Sequence, residues 1–422
     1  MHIGFISFRL AGTDGVSLET AKIAQIFQRQ GHQIYYFAGE LNPAYGDRDP
    51  LYVQLSGQEC VESAHFTHPD ILWITEHAFG SDHARPSLRA RMERATISLT
   101  DALQTFIHKY NLDLIVTENV FAIPLNLPLS IALQRVVAET GIPTIAHSHD
   151  FYWERERFAV SCVKDVLAST FPPNLPNVRH LVINSQAQRE LTLKGIPSQV
   201  LPNILDFAVE PPGPDAYNED LRRALGLVDG EYFFLQPTRV IRRKGIELAI
   251  ELVSRLDDLP IKLVISHNIE HDSQAYLSEM LALAARLDVQ LAYIPERFKP
   301  YRVPGEGVHK VYSLWDAYIQ ADFITYPSLY EGFGNALLET VYLHKPLLVN
   351  RYRVYQEDIE PTGIQAVTID GQVTDEAVQQ VRQLLEHPEK IEEMTTHNFM
   401  TANKYFSYAF AESILTGVLA SF

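Results

Sequence analysis

The sequence predicts an α/β protein built as two doubly wound parallel-sheet domains. Three observations carry that expectation. A length of 422 residues exceeds what one core usually holds. Short apolar runs alternate with amphipathic helical stretches along the whole chain. A proline-rich break separates two such series.

The first forty residues form one complete unit. "HIGFISF" is a short apolar run of the kind that makes a buried parallel strand. "RLAGTDGVS" is a loop, and "LETAKIAQIFQRQG" sets Ala21, Ile23, Ala24 and Phe27 at helical spacing, with Gly31 in the C′ position. "QIYYFAG" is the next strand. "LDLIVTEN" and "PTIAHSHD" are strands separated by the helical "SIALQRVVAETG", and "HLVINS" and "QVLPN" follow. In "VEPPGPDAYNED", residues 209–220, Pro211, Pro212, Gly213 and Pro214 break any regular element. A second series then runs from "YFFLQPTR" through "IKLVISH", "VQLAYI", "ADFITYPS" and "PLLVNR" to "GIQAVTI", with helices between. The expected domains are residues 1–208 and 209–395, with 396–422 a helix crossing back to the first. Ligands of such sheets sit at the carboxyl ends of the strands, so two domains facing one another would share a cleft.

Composition narrows the function classes. A net charge of −17 argues against nucleic acid and anionic lipid as partners, since both need a basic surface. A phosphate-bearing ligand therefore needs a local basic cluster. No segment approaches 18 uninterrupted apolar residues, and the apolar start is too short for a signal sequence. Cys60 and Cys162 make no disulfide framework and fit a reducing compartment. The expectation is a soluble, cytoplasmic protein with no transmembrane segment.

Four stretches carry chemistry. In "AGTDGVS", Gly12 and Gly15 follow a strand and open a helix whose positive end suits an anion; a plain tight turn explains them equally well. In "TRVIRRKG", Arg239, Arg242, Arg243 and Lys244 fall within six residues at a strand exit, suited to a diphosphate; a solvated charge run is the alternative. In "PSLYEGFGNALLE", a loop becomes a helix near Gly334 or Asn335, so the amides of Phe333, Gly334 and Asn335 point outward. Glu331 before the helix and Glu339 within it are acceptor-only groups suited to hydroxyls; together with those amides they describe a sugar-nucleotide site. In "TIAHSHDFYWERERF", strand geometry turns His147 and His149 to one side. A metal site with Asp150 or Glu154, satisfied buried histidines, and contact with a reacting sugar all stay open.

With these residues assembled, the chain resembles glycosyltransferase family 4, whose GT-B fold pairs two Rossmann-like domains across a cleft. The likeness rests on the E-x7-E of Glu331 and Glu339, the "TRVIRRKG" clamp, "GTDGVS", "HSHD" and the "LPN" before the break. It implies that Arg239 and Lys244 neutralise the donor diphosphate, that Glu339 binds ribose hydroxyls and that Glu331 contacts the transferred sugar beside the amides of Phe333 to Asn335. Gly15 would approach the phosphates from the opposite domain. His149 would meet the donor sugar, with His147 leaving the register open, and the base would lie near Ile294 to Arg297. The helix around "KYFSYAFAESIL" would brace the first domain.

The resemblance further implies retention at the anomeric carbon, no essential metal and no cofactor beyond the nucleotide-sugar substrate, such as GDP-mannose or UDP- or ADP-glucose. "GTDGV" departs from the commoner paired-glycine loop, which bears on acceptor contacts by Thr13 and Asp14. Asp150, Arg155 and Arg157 form a candidate grip for an acidic acceptor, a sugar acid or a glycerate-type solute. A salt-bridged helix start with Glu154 and Glu156 is the alternative for the two arginines. A sugar-nucleotide epimerase and a non-catalytic sugar-nucleotide sensor remain rival readings of the same architecture.

Overall fold

A computed structural model of the chain describes residues 1–10, 14–41, 52–83, 85–269, 273–305 and 309–422. It divides into two compact units, Met1–Asn203 with Ala411–Phe422, and Ile204–Phe410.

The first unit is built on strands β1 (His2–Ile6), β2 (Gln33–Ala38), β3 (Leu55–Cys60), β4 (Leu114–Glu118), β5 (Thr144–Ser148), β6 (Val178–Val182) and β7 (Ser198–Val200). All pair in parallel, in the order β3-β2-β1-β4-β5-β6-β7. Its helices are α1 (Gly15–Arg29), α2 (Pro69–Ala78), α3 (Pro86–Tyr110), α4 (Leu127–Thr140), α5 (Lys164–Thr170) and α6 (Ser185–Leu193). Strands β1, β4 and β5 read as near-continuous apolar runs because helices cover both faces of a parallel sheet. Phe37, Phe106, Ile115 and Leu133 are completely buried in the core that results. Each contributes about 1.5–3 kcal/mol relative to exposure.

The second unit contains α7 (Leu221–Ala224), β8 (Tyr232–Gln236), α8 (Ile246–Ser254), β9 (Ile261–Ile265), α9 (Gln274–Arg286) and β10 (Gln290–Tyr293). A two-residue ladder of β11 (Phe298–Lys299) and β12 (Tyr312–Ser313) leads into α10 (Leu314–Gln320). Then come β13 (Phe323–Tyr326), α11 (Asn335–Tyr342), β14 (Leu347–Asn350), β15 (Val367–Ile369), α12 (Asp375–Glu386) and α13 (Pro388–Tyr405). The parallel sheet order is β10-β9-β8-β13-β14-β15 around a core of Phe234, Ile250, Leu263 and Phe323. Helix α14 (Tyr408–Leu419) ends the regular structure.

In both sheets the strand order reverses beside the first strand of the series, between β1 and β4 and between β8 and β13. Such a reversal opens a crevice at the carboxyl ends of the two strands. The loops leaving β8 and β13 are "TRVIRRKG" and "PSLYEGFG"; those leaving β1 and β4 carry Asp14 and adjoin Glu118. Topology thus sorts the chemistry-bearing loops to the binding edge of each sheet.

The two units divide at points other than those expected. The second unit begins at Ile204 rather than residue 209, because the stretch before the proline break is fastened to it. The Leu205 amide donates to the Phe406 carbonyl at 2.9 Å, Phe207 packs against Tyr342 with centroids 5.7 Å apart, and the Tyr342 hydroxyl donates to the Val209 carbonyl at 3.1 Å. The chain leaves this unit at residue 411 rather than 396. Phe399 on α13 packs against Phe207 and His344, with ring centroids 5.2 and 4.7 Å apart, which keeps α13 with the second unit. Edge strand β3, with its alternating half-buried "LSGQEC", and the α2–α3 hairpin add elements that apolar runs alone do not reveal. Among the described residues, no helix is long and apolar enough to cross a membrane.

Candidate active site

In the second unit, Arg242, Arg243 and Lys244 form one 3-10 turn that ends at Gly245, with φ +60°. A Cβ there would lie 2.3 Å from the Pro327 carbonyl oxygen, so only glycine lets this turn sit against the "PSLYE" loop. The Leu329 amide completes the contact, donating to the Arg243 carbonyl at 2.8 Å. Two cations then close on one carboxylate. Lys244 Nζ donates to Glu331 Oε1, and Arg243 Nη1 donates to Glu331 Oε2 at 2.9 Å and to the Tyr330 carbonyl at 3.1 Å.

Glu331 is buried, and burial alone would raise its pKa; Lys244 and Arg243 outweigh it and hold the carboxyl below its ordinary range. Burial, with repulsion from Arg243 and Arg239, takes Lys244 below the usual lysine range despite Glu331. Arg239 is exposed and close enough to act on both Lys244 and His267. Burial and those two cations push His267 down to about 4, so it is neutral at pH 7. Arg242 turns away, pairing with Glu279 at 2.8 Å over the Tyr276 ring.

Helix α11 begins at Asn335. Gly334 precedes it with φ +134°, where a Cβ would lie 2.7 Å from Tyr352 Oη. That hydroxyl donates to the Phe333 carbonyl at 2.5 Å, fixing the turn just ahead of the helix amides. The Phe333 side chain is buried against Phe406, centroids 5.4 Å apart, so its amide and not its ring is the group a ligand can use. Glu339 Oε2, one turn along, accepts from the buried Tyr318 hydroxyl at 3.0 Å. Arg297 is buried and donates to the carbonyls of Lys310 and Ala224 at 3.3 and 3.1 Å, which makes it a brace for the loop.

In the first unit, Thr13 and Gly12 lie outside the described residues. Asp14 is the N-cap of α1, accepting from the Ser17 amide at 3.1 Å, from Ser17 Oγ at 2.9 Å and from Arg9 at 2.8 Å. Burial raises its pKa, but these partners hold it below the ordinary value. Gly15 is the exposed first residue of α1.

At the exit of β4, the fully buried Glu118 accepts from His147 Nδ1 at 2.9 Å and from His149 Nε2 at 3.0 Å, both through Oε2. The two imidazole centroids are 4.4 Å apart. Asn119, at φ +61°, ties the exit together. Its Oδ1 accepts from the His149 amide at 2.7 Å, and its Nδ2 donates to Asp150 at 3.2 Å. Asp150 in turn accepts from Arg155 Nε at 2.6 Å. Arg157 differs from its neighbour. It lies over Phe158 at 4.5 Å and has no ion pair among the described residues. Burial and the adjacent Arg155 lower its pKa. The "WERERF" segment is therefore half salt-bridged, through Asp150 and not the intervening glutamates, while Arg157 stays uncommitted.

The structure thus brings Arg239, Lys244, Glu331, Phe333, Gly334, Asn335 and Glu339 to one sheet edge, and Asp14, Gly15, His149, Asp150, Arg155 and Arg157 to the other unit. Sequence reasoning missed Arg243 as a Glu331 partner, Tyr318, Tyr352 and Glu118. The signal for Glu118 was present: an acid closing the apolar strand "LDLIVTE". The tyrosines carry no local signal, since their partners come from other elements.

No family profile matches the chain. It is 32% identical over 99% of its length, and 99% of the relative's, to mannosylglucosylglycerate synthase from Thermotoga maritima. It is 31% identical to the Petrotoga mobilis protein of the same name, covering 87% and 86% of the two chains. A P. mobilis mannosylglucosyl-3-phosphoglycerate synthase matches at 28% over 54% of this chain and 44% of its own. Among solved structures, a glycosyltransferase from Rickettsia africae superposes with a TM-score of 0.69 at 14% identity, covering 99% and 98% of the chains. Anabaena HepE in complex with UDP and glucose gives 0.67 at 14%, covering 100% and 99%. These superpositions establish the GT-B fold.

Proposed function

Because the chain belongs to the mannosylglucosylglycerate synthase family, and is therefore a glycosyltransferase acting on a sugar nucleotide, we propose that it transfers mannose from a nucleoside-diphosphate mannose to glucosylglycerate. The observation that carries the donor half is the closure of Lys244 and Arg243 on Glu331, beside the amino end of α11 and within reach of Arg239. A diphosphate sugar needs cations at the diphosphate, acceptor-only groups at its hydroxyls and amides between; this sheet edge carries all three.

In the proposed reaction the bond between the anomeric carbon and the phosphate oxygen breaks as the acceptor hydroxyl oxygen attacks. The acceptor proton passes to the leaving phosphate on the same face, so configuration is retained. Charge grows on the diphosphate, where Arg239, Lys244 and the amides of Gly334 and Asn335 stabilise it. Glu331, kept ionised by its two cations, accepts from hydroxyls of the mannosyl group, and Glu339 from the ribose. His149 and Gly15 are the groups of the first unit proposed to bind the sugar and the phosphates. No residue role here calls for a metal or a further cofactor. The acceptor is a small glycoside ending in a carboxylate. Arg157 supplies an uncommitted cation for it, with Asp150, Arg155 and Asp14 as the further acceptor-side groups of the first unit. No described helix spans a membrane, which fits action on such a soluble acceptor in the cytoplasm.

The test is nucleotide release and product analysis with GDP-mannose, UDP-glucose and ADP-glucose, each with and without glucosylglycerate. Release from a mannose donor only when the acceptor is present, with an α-mannoside formed from an α-donor, supports the reading. An isomerised donor without acceptor points to an epimerase, and binding without turnover to a sensor; either overturns it.

A further inference from the structure

The Glu118–His147–His149 cluster has no assigned chemistry beyond the contact of His149 with sugar, yet Glu118 is completely buried and His147 nearly so. Its geometry restricts where protons lie. An ionised carboxylate with no solvent exposure needs a positive partner, because an isolated buried charge is strongly unfavourable. Both imidazoles must donate to it, since a carboxylate only accepts. His147 Nε2 is buried without a hydrogen-bond partner among the described residues. Protonating it would bury an N–H with no acceptor, the more costly of the two ways to leave that nitrogen. His147 is therefore the neutral tautomer carrying its proton on Nδ1. The compensating charge falls to His149, which donates through Nε2 and whose Nδ1 has no partner among the described residues.

We infer that Glu118 is a positioning residue that holds His149 as an imidazolium, so that His149 Nδ1–H is a charged donor for an oxygen of the ligand. This rests on the proposed function for the identity of that ligand, though not for the charge itself. The surrounding groups agree. Glu19 on α1, itself paired with Lys22, acts on His149 along with Glu118 and Asp150. Asp150 is shared with Arg155, and Tyr36 on β2 lies near Glu118 with its phenol pushed up by burial and that carboxylate. Burial alone would lower the His149 pKa; the bond and charge of Glu118, then Glu19 and Asp150, reverse the direction and raise it. Burial would likewise raise Glu118; the single positive charge shared by the two-histidine cluster and the hydrogen bonds from both rings hold it below its ordinary value.

The same three groups have the chemistry of a metal site, but the spacing favours protons. The contacts of 2.9 and 3.0 Å are those of N–H···O hydrogen bonds. Tetrahedral zinc with bonds of about 2.0–2.1 Å sets its nitrogen and oxygen ligands about 3.3 Å apart.

The experiment is two-bond ¹H–¹⁵N spectroscopy of the full chain labelled with ¹⁵N-histidine, with His149 and His147 assigned from His149→Gln and His147→Gln. At pH 7 the wild type should show both His149 nitrogens protonated and His147 as the neutral Nδ1–H form. In Glu118→Gln the His149 pKa should fall by about one unit or more. The alkaline limb of kcat/KM should move to lower pH by the same amount, with kcat down at least about tenfold. A neutral His149 in the wild type overturns the inference even if Glu118→Gln fails to fold. So does an unshifted pH profile in a folded variant, or one equivalent of metal retained through dialysis. The spectra need no substrate. An imidazolium in a protein without mannosyl transfer would defeat the proposed function alone, and a neutral ring in an active transferase would defeat this inference alone.

Discussion

Replacing Lys244 with methionine separates stability from catalysis at the donor site. Both partners of the Lys244–Glu331 pair have side chains only 10% exposed, so the loss leaves a buried carboxylate. Arg243 remains, but it is 39% exposed and partly screened. Breaking a buried pair from one side costs about 3–5 kcal/mol, and the lower figure applies while Arg243 stays. For the unit spanning residues 204–410, where 1 kcal/mol moves Tm by about 2–4 °C, this predicts a fall of about 6–12 °C. Turnover should fall about a hundredfold or more, as when a stabiliser of developing negative charge is removed. The double variant Lys244→Met with Glu331→Gln removes the orphaned charge and should recover most of the lost Tm while leaving turnover low. Thermal melts and nucleotide release at saturating donor read the two effects independently. Near-normal turnover in the single variant refutes the diphosphate clamp. An unchanged Tm refutes the buried pair.

Arg157→Ala should raise the acceptor KM about tenfold or more with kcat little changed, because a lost charged hydrogen bond is worth about 1.5–3 kcal/mol; an unchanged KM removes Arg157 from the acceptor site. Gly334→Ala forces a Cβ against Tyr352 Oη at 2.7 Å from a φ of +134°, and should cost about 1–3 kcal/mol in urea melts. Pairing it with Tyr352→Phe should recover part of that loss, and no recovery means the clash is not the cause. His180, buried on β6, donates through Nε2 to the Pro173 carbonyl at 2.9 Å, and burial takes its pKa down to about 4. The unfolded chain therefore binds the extra proton between about pH 6.5 and 4, so stability is lost as pH falls through that window, by about 3 kcal/mol in full. His180→Gln keeps a donor without titrating and should flatten the acid dependence of Tm; an identical slope rules His180 out as its source.

Much of this site was legible in the sequence because its grammar is local. A parallel strand buried on both faces must be apolar throughout, which is why β1, β4, β8 and β13 stand out. The turn that follows must carry what binds, since the reversal of strand order opens only at that edge. Clustered cations at the exit of β8, and two glycines ahead of α11 between two glutamates, follow from that constraint. The second series of strands was legible for the same reason.

Residue order alone thus carries the class of fold and marks the candidate loops and the charge expected of a ligand. Partners across distant segments were decided only by tertiary structure. Arg243 and Lys244 share Glu331 across 88 and 87 positions, and Tyr318 finds Glu339 on another helix. His147 and His149 turn to Glu118, about thirty positions earlier, because parallel pairing sets β4 beside β5. Asp14 was legible as a loop acid but became a helix cap once α1 formed behind it. The physical reason is common to all of them. Local pattern reports which face a residue presents, whereas a buried charge is settled by whichever group the fold places within hydrogen-bonding distance, and chain separation says nothing about that distance.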